Sequence, residues 1–250
     1  MFLSVENIGL SYQTAERETM AVKDVSFDVK EGEFVSIVGP SGCGKSTLLS
    51  CIAGLTVPTT GQIIFKGRPT DGVREDVGYM LQSDNLMPWR SIYKNVTLGL
   101  EIQNKLTAEN EAYAQSLLKK YDLWEFKDSY PSRLSGGMRQ RAALIRTLAV
   151  KPDLLLLDEA FSALDYQTRV NVSRDVYRIL RAENKTMVMV THDIPEAVAM
   201  SDRVVVLSKR PSVVQKILTL PFGRRRDPIS VRGHGRFQSF FDAVWKEMNI

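Results

Sequence analysis

Cysteine is scarce in this sequence, and long apolar runs are missing. The two cysteines, Cys43 and Cys51, are too few and too close together for a disulfide framework. A reducing compartment is expected. The longest apolar runs are strand-sized, well short of the roughly 20 residues of a membrane-spanning helix. The opening MFLSVENIGL has no basic stretch ahead of a long apolar core, so no signal peptide is expected. Internal repeats, low-complexity tracts and long heptad runs are also missing, which excludes solenoids and coiled coils. Charge is not one-sided either. Thirty-three Lys and Arg against 29 Asp and Glu leave a net +4, too modest to argue for nucleic acid. What remains is an ordinary globular composition, 44% hydrophobic and 25% charged, over 250 residues. That length supports one large domain or two small ones.

What the sequence does have is the stretch GPSGCGKST, comprising Gly39, Pro40, Ser41, Gly42, Cys43, Gly44, Lys45, Ser46 and Thr47. It fits G-x-x-x-x-G-K-[ST], a phosphate-binding loop. Phe34 to Val38 before it is a short β-branched run that predicts a buried strand. Ser46 to Ala53 after it predicts a helix, with Leu48, Leu49 and Ile52 at helical spacing and Gly54 as the stop. Strand, glycine loop and helix are the order the chemistry needs. Glycines let successive N–H groups turn inward on an anion, and the helix start adds open donors. Lys45 supplies a charge for the outer phosphates, and the Ser46 hydroxyl can ligate Mg²⁺. Cys43 lies beside Lys45 and a helix start, which should favour its thiolate unless it merely fills the loop.

Residues 2 to 29 read as strands, with Val25, Phe27 and Val29 alternating against Asp24, Ser26 and Asp28. Gln13 to Thr19 reads as a loop. Tyr12 before it either stacks on a base or simply finishes its strand. Gln62 to Phe65 and Asp76 to Leu81 are further strands, and Gln82 ends the second. A glutamine there could ligate Mg²⁺ or orient water, or be a solvated amide. The pattern then turns helical, over Ser91 to Lys105 and Ala108 to Tyr121, and no strand signal returns before Asp153. Leu86, Met87 and Trp89 around Pro88 form an apolar loop that needs a cover.

Leu134 to Gln140 reads LSGGMRQ and leads into a helix over Gln140 to Ala149. Ser135, Gly136 and Gly137 make a second anion-binding loop at a helix start. Asp153 to Asp158 is a buried strand ending in an acid, with Glu159 next. Packing does not explain two adjacent carboxylates at the end of an apolar run. Asp158 suits a Mg²⁺ shell, and Glu159 can polarise water. Asp165 is a fitting N-cap for the next helix. Thr186 to Thr191 is a strand with His192 at its end, placed to reach a phosphate. Pro195 starts a short helix, and Arg203 to Ser208 and Val213 to Leu220 read as strands. Gly223 to Asp227 reads as a solvated basic turn holding Arg224, Arg225 and Arg226, and Arg236 to Met248 as an amphipathic helix.

This ordered set resembles the ATP-binding cassette ATPases, the nucleotide-binding subunits of ABC transporters, over residues 2 to about 210. It runs from Tyr12 through the loop at 39–47, Gln82, LSGGMRQ, LLLLDE at 154–159 and SALD at 162–165 to His192. Pro88-Trp89-Arg90 and SALDYQTR resemble the importer branch serving nitrate, taurine and aliphatic sulfonates. The resemblance implies an α/β core of the P-loop NTPase type with an N-terminal antiparallel β subdomain over 1–85 and 148–220. It implies an inserted helical subdomain over 86–147 and a tail over 221–250. It implies ATP and Mg²⁺ as ligands, with Tyr12 on adenine and the 39–47 loop on phosphates. Ser46, Gln82 and Asp158 would serve the metal, Glu159 would be the base, and His192 would sense the γ-phosphate. Ser135, Gly136, Gly137 and Asp165 would face a second cassette in a homodimer or paired-subunit dimer. Permease subunits and, indirectly, a solute-binding protein are the implied partners, at the cytoplasmic face of the plasma membrane. A repair or translation ATPase is the alternative. The stretch between Lys45 and Asp158 is too short for the coiled coils of the repair type, and one chain holds one cassette rather than two.

Overall fold

Alternation makes the strand that runs to residue 29: Val25, Phe27 and Val29 are buried, while Asp24 and Ser26 face solvent. In the computed structural model, which describes residues 1–13, 18–162 and 164–248, this stretch is the end of β2 (Glu18–Val29). β2 pairs antiparallel with β1 (Leu3–Gln13). The loop expected over 13–19 is shorter, because Tyr12↔Thr19 and Gln13↔Glu18 are still paired across the hairpin; residues 14–17 lie outside the described residues. β1 also pairs antiparallel with β4 (Thr60–Phe65). A two-residue strand, β5 (Arg68–Pro69), follows the Lys66-Gly67 turn and completes the sheet order β2-β1-β4-β5.

The chain divides into two compact units, Met1–Arg74 with Leu180–Ile250, and Glu75–Ile179. The second sheet of the first unit centres on β3 (Phe34–Val38), parallel to β8 (Thr186–Val190) and β9 (Arg203–Leu207), with β10 (Val214–Thr219) antiparallel at the edge. Every residue of β3 and β8 is buried. Unbroken apolar runs suit parallel strands covered on both faces. The glycine loop leads from β3 into α1 (Lys45–Ile52). Gly54 ends that helix at φ +72, where a Cβ would come within 1.9 Å of the Gly72 carbonyl oxygen.

Helix α7 (Ile194–Met200) links β8 to β9, and α9 (Phe237–Met248) lies against both α7 and β9. Val38, Val204 and Val206 of the sheet, Ala197 and Val198 of α7, and Val244 of α9 share one core, with Phe222, Phe237, Phe240 and Phe241 packed around it. α8 (Pro228–Arg232) was not foreseen in the sequence reading. Its signal is Asp227-Pro228, an N-cap whose carboxylate accepts from the Ile229 N–H, followed by proline in the first turn. The solvated basic turn needs a matching correction. Arg224 and Arg225 are exposed, but the Arg226 side chain is 2% exposed and bonds the Met200 carbonyl and Asp202.

In the second unit, β6 (Val77–Met80) runs parallel to β7 (Leu154–Asp158). Its helices are α2 (Ile92–Val96), α3 (Leu98–Ile102), α4 (Ala108–Lys120) and α5 (Gly136–Ala149), with α2, α3 and α4 all packing on α5. Ala114, Leu117 and Leu118 form the buried stripe of α4, while Tyr121, which helical spacing puts on the same face, is the half-buried C-cap. The single helix expected over 91–105 is broken at buried Thr97, whose hydroxyl donates back to the Tyr93 carbonyl at 3.1 Å and caps the first piece. α5 starts earlier than expected, because Ser135 caps it and both glycines are helical. α6 (Tyr166–Ala182) begins in this unit, with Val172, Val176, Ile179 and Leu180 buried.

Candidate functional site

The loop at 39–47 takes its shape from backbone conformations open to glycine. Gly42 and Gly44 have φ of +72 and +110. Gly44 is the N-cap of α1 and offers no side-chain cap; a helix start of this kind is where backbone N–H groups can meet an anion. Lys45 is 5% exposed, and its ammonium donates to the carbonyls of Gly39 (2.9 Å) and Pro40 (3.0 Å). The cation is thus folded onto its own loop. Ser41 and Ser46 are exposed and Pro40 and Thr47 half-buried. Tyr12 reaches this loop, with its hydroxyl 3.0 Å from Thr47 Oγ1 and its ring exposed.

Cys43 corrects the thiolate expectation. It is buried, and burial pushes its thiol above the ordinary range, outweighing the nearby Lys45 and Arg210 cations. Cys51, on the buried face of α1, is pushed up to about 11 by the same cause. Arg210 was not anticipated. It donates to the Gly42 carbonyl at 2.6 Å from a turn far along the chain. His192 is exposed just after β8, and its neighbours are fixed. The Thr191 hydroxyl donates to Glu196 (2.8 Å) and accepts from the Asp193 N–H (3.0 Å), and Asp193 caps α7 through the Glu196 N–H (2.9 Å).

The carboxylates lie in the second unit. β7 delivers Asp158, half-buried, and the Tyr79 hydroxyl on neighbouring β6 donates to its Oδ2 at 3.0 Å. Tyr79 was missed; its polar tip on a strand beside the acid was the available signal. Glu159 follows with φ +45, the left-handed region, in a half-buried turn. Gln82 is exposed beyond β6, and its Nε2 donates to Ser162 Oγ at 3.0 Å.

Ser135 caps α5, its hydroxyl accepting from the Met138 N–H at 3.3 Å. Gly137 is buried under α6, where a Cβ would sit 3.0 Å from Val172 Cγ2; one at Gly136 would sit 3.3 Å from Leu164 Cδ2. Asp165 caps α6 as expected, accepting from the Thr168 N–H at 3.1 Å, and bonding to Thr168 holds its carboxyl below the usual range. Ser135, Gly136, Gly137, Asp165 and Thr168 line one cleft of this unit.

The 86–90 loop also differs from expectation in part. Leu86 is buried, at 7% exposure, whereas Trp89 is 73% exposed. Fully buried Asn95 holds the loop from beneath, accepting from the Met87 N–H (2.6 Å) and donating to the carbonyls of Met87 and Arg90.

Residues 22–162 match the family model described as ABC transporter. The chain is 47% identical over 256 residues to the uncharacterized ABC transporter ATP-binding protein YtlC of Bacillus subtilis (strain 168), covering 99% of this chain and 96% of that protein. It is 39% identical over 235 residues to the nitrate import ATP-binding protein NrtC of Synechococcus elongatus, covering 92% of this chain but 36% of that protein. Among solved structures it resembles the dimeric, post-hydrolysis ATP-binding cassette MJ0796 bound to ADP and Pi. That likeness has a TM-score of 0.74 at 33% identity and covers 88% of this chain and 99% of that one.

Proposed function

The chain belongs to the ABC transporter family as an ATP-binding subunit, and from that premise we propose that it is the motor of an importer for a small solute of the nitrate, taurine or aliphatic sulfonate class. It has the cassette fold, mixed α/β with an antiparallel sheet and a helical insertion, and it is an ATPase. The likeness to a nitrate import subunit supports the direction and the solute class. The likeness to a dimeric cassette supports a two-cassette assembly. No helix among the described residues is long and apolar enough to cross a membrane. In this reading separate permease subunits carry the solute, fed by a solute-binding protein, and the cassette works at the cytoplasmic face of the membrane.

The proposed roles follow the chemistry of each group. Tyr12 stacks on adenine, and residues 39–47 hold the phosphates, with Lys45 on the outer ones. Ser46, Gln82 and Asp158 offer hard oxygen donors, and Mg²⁺ bound to nucleotide phosphates asks a protein for only one or two such ligands. When bound, Mg²⁺ neutralises charge on the phosphates. Glu159 takes the proton of the attacking water, and His192 contacts the γ-phosphate. Ser135, Gly136, Gly137 and Asp165 meet the nucleotide of the partner cassette, carried there by the helical segment 86–147. Trp89, held out on its Asn95-braced loop, suits a permease contact.

The observation that carries this reading is Glu159, a half-buried carboxylate next to Asp158 in a fixed left-handed turn. Glu159→Gln should lower turnover by about 100-fold or more, keep ATP affinity, and elute as an ATP-dependent dimer. Cells carrying it should stop accumulating labelled nitrate or taurine. Hydrolysis at the wild-type rate would overturn the base assignment, and continued uptake would overturn the transport role.

A further inference from the structure

Ser162 has one hydroxyl proton and two polar neighbours, and together they decide how it is used. Its Oγ lies 2.9 Å from the Glu159 carbonyl oxygen and 3.0 Å from Gln82 Nε2. A carbonyl oxygen has no proton to give, so the hydroxyl proton goes to Glu159. The hydroxyl can then only accept from Gln82, which must present its NH₂ group. The amide oxygen of Gln82, the only atom of that side chain able to bind a cation, is thereby turned away from Ser162. The Ser162 backbone N–H donates to the same Glu159 carbonyl at 3.0 Å, closing a tight turn on a residue with φ +45. From α6, Arg169 donates to the carbonyls of Ser162 (3.2 Å) and Leu164 (2.9 Å), so the loop that carries the hydroxyl is itself braced.

We propose that Ser162 is a positioning residue for hydrolysis: it fixes the amide of Gln82 so that Oε1 faces the nucleotide's metal ion, and it locks the turn that aims Glu159. This rests on reading Gln82 as a metal ligand and Glu159 as the base. Groups that orient ligands without touching the ion commonly change metal affinity by about 10-fold or more. A left-handed non-glycine turn persists only where its surroundings hold it.

The test uses Mn²⁺ as a paramagnetic probe, titrated into the full chain saturated with a non-hydrolysable ATP analogue and followed by electron paramagnetic resonance. Gln82→Ala should weaken Mn²⁺ binding about 10-fold. Ser162→Ala should weaken it by a similar factor, the double variant should be no weaker than Gln82→Ala, and Ser162→Thr should restore wild-type affinity. A purely structural serine would give effects that add. Full additivity, an unchanged Ser162→Ala beside a weakened Gln82→Ala, or a threonine as weak as alanine overturns the proposal. An unchanged Gln82→Ala removes the metal-ligand reading and the proposal with it, while leaving the Glu159 assignment standing. Should Ser162→Ala fail to fold, Thr and Cys at 162 are compared instead. A thiol is a poor acceptor, so equal affinity in those two variants also overturns the proposal.

Discussion

Two helix starts in this protein carry glycines, and they are built in opposite ways. At α1 the N-cap is Gly44, left-handed and without a side-chain cap, and a buried lysine waits beside it. At α5 the N-cap is Ser135, whose hydroxyl already takes the Met138 N–H, and the following glycines are ordinary helical residues whose missing Cβ makes room for α6 and Leu164. The first loop spends its glycines on backbone shape and puts no side-chain cap on its helix. The second spends them on packing clearance and satisfies a donor itself. At the first an anion draws Lys45 off its own loop carbonyls but displaces no side-chain cap, whereas at the second it must compete with Ser135. Two glycine-bearing loops therefore conceal two sites of unequal readiness, and the first should bind nucleotide in a lone subunit while the second contributes only on assembly.

The sharpest test of that inequality is Lys45→Ala. It removes the buried cation and its charge-assisted bonds, worth about 2 kcal/mol, so ATP affinity of the isolated subunit should fall about 30-fold by calorimetry. Unchanged affinity and turnover would remove the first loop from the argument. Ser135→Ala should act differently. It forfeits an N-cap, about 1 kcal/mol of stability, seen as a modest drop in Tm, while ATP affinity of the lone subunit stays unchanged and ATP-dependent dimerisation weakens. A loss of monomer affinity as large as that of Lys45→Ala would erase the distinction. The smallest effect concerns the cysteines. Burial raises the thiol pKa of Cys43 and takes that of Cys51 to about 11, so the folded state favours the neutral forms. That stabilisation is complete below the ordinary thiol value of 9.0 and is lost as pH rises towards about 11. Tm should fall over that window, less steeply in Cys51→Ala, and at pH 8 both thiols should react with a disulfide reagent far more slowly than in denatured protein. Rapid native labelling of Cys43 would restore the reactive thiolate.

Much of the fold could be read from the sequence because its signals are local. The run 34–38, the loop 39–47 and the acid-terminated strand at 154–158 declare themselves within a few residues, and the cap at Asp165 needs only the helix after it. What escaped depends on partners distant in sequence. Ser162 meets Gln82 across 80 positions and Tyr79 meets Asp158 across 79, separations that no local pattern spans. Arg210 reaches Gly42 across 168 positions. The break at Thr97 was hidden for another reason. A threonine inside an apolar helical pattern reads as tolerated, and only its bond back to Tyr93 turns it into a stop. Arg226 was misread because three adjacent arginines look alike in sequence, and only the fold gives one of them a half-buried acid.

That acid has a consequence for where the chain can be cut. Arg181 Nη2 donates to both carboxylate oxygens of Asp202 (2.9 and 2.8 Å) and Arg226 to one of them (3.0 Å), while the Asp202 backbone bonds Phe34 and Leu220. Arg226 comes from the segment that leads into α8 and α9, and α9 contributes Val244 to the core beneath β9. The last thirty or so residues therefore act as a latch on the first unit rather than as a trailing appendage. A deletion starting at Pro221 strips one counter-ion from a half-buried carboxylate and opens an apolar hole beside α7. Anyone trimming this protein for crystals, or splicing a reporter into it, would do better to begin beyond Met248 than to shorten what precedes it.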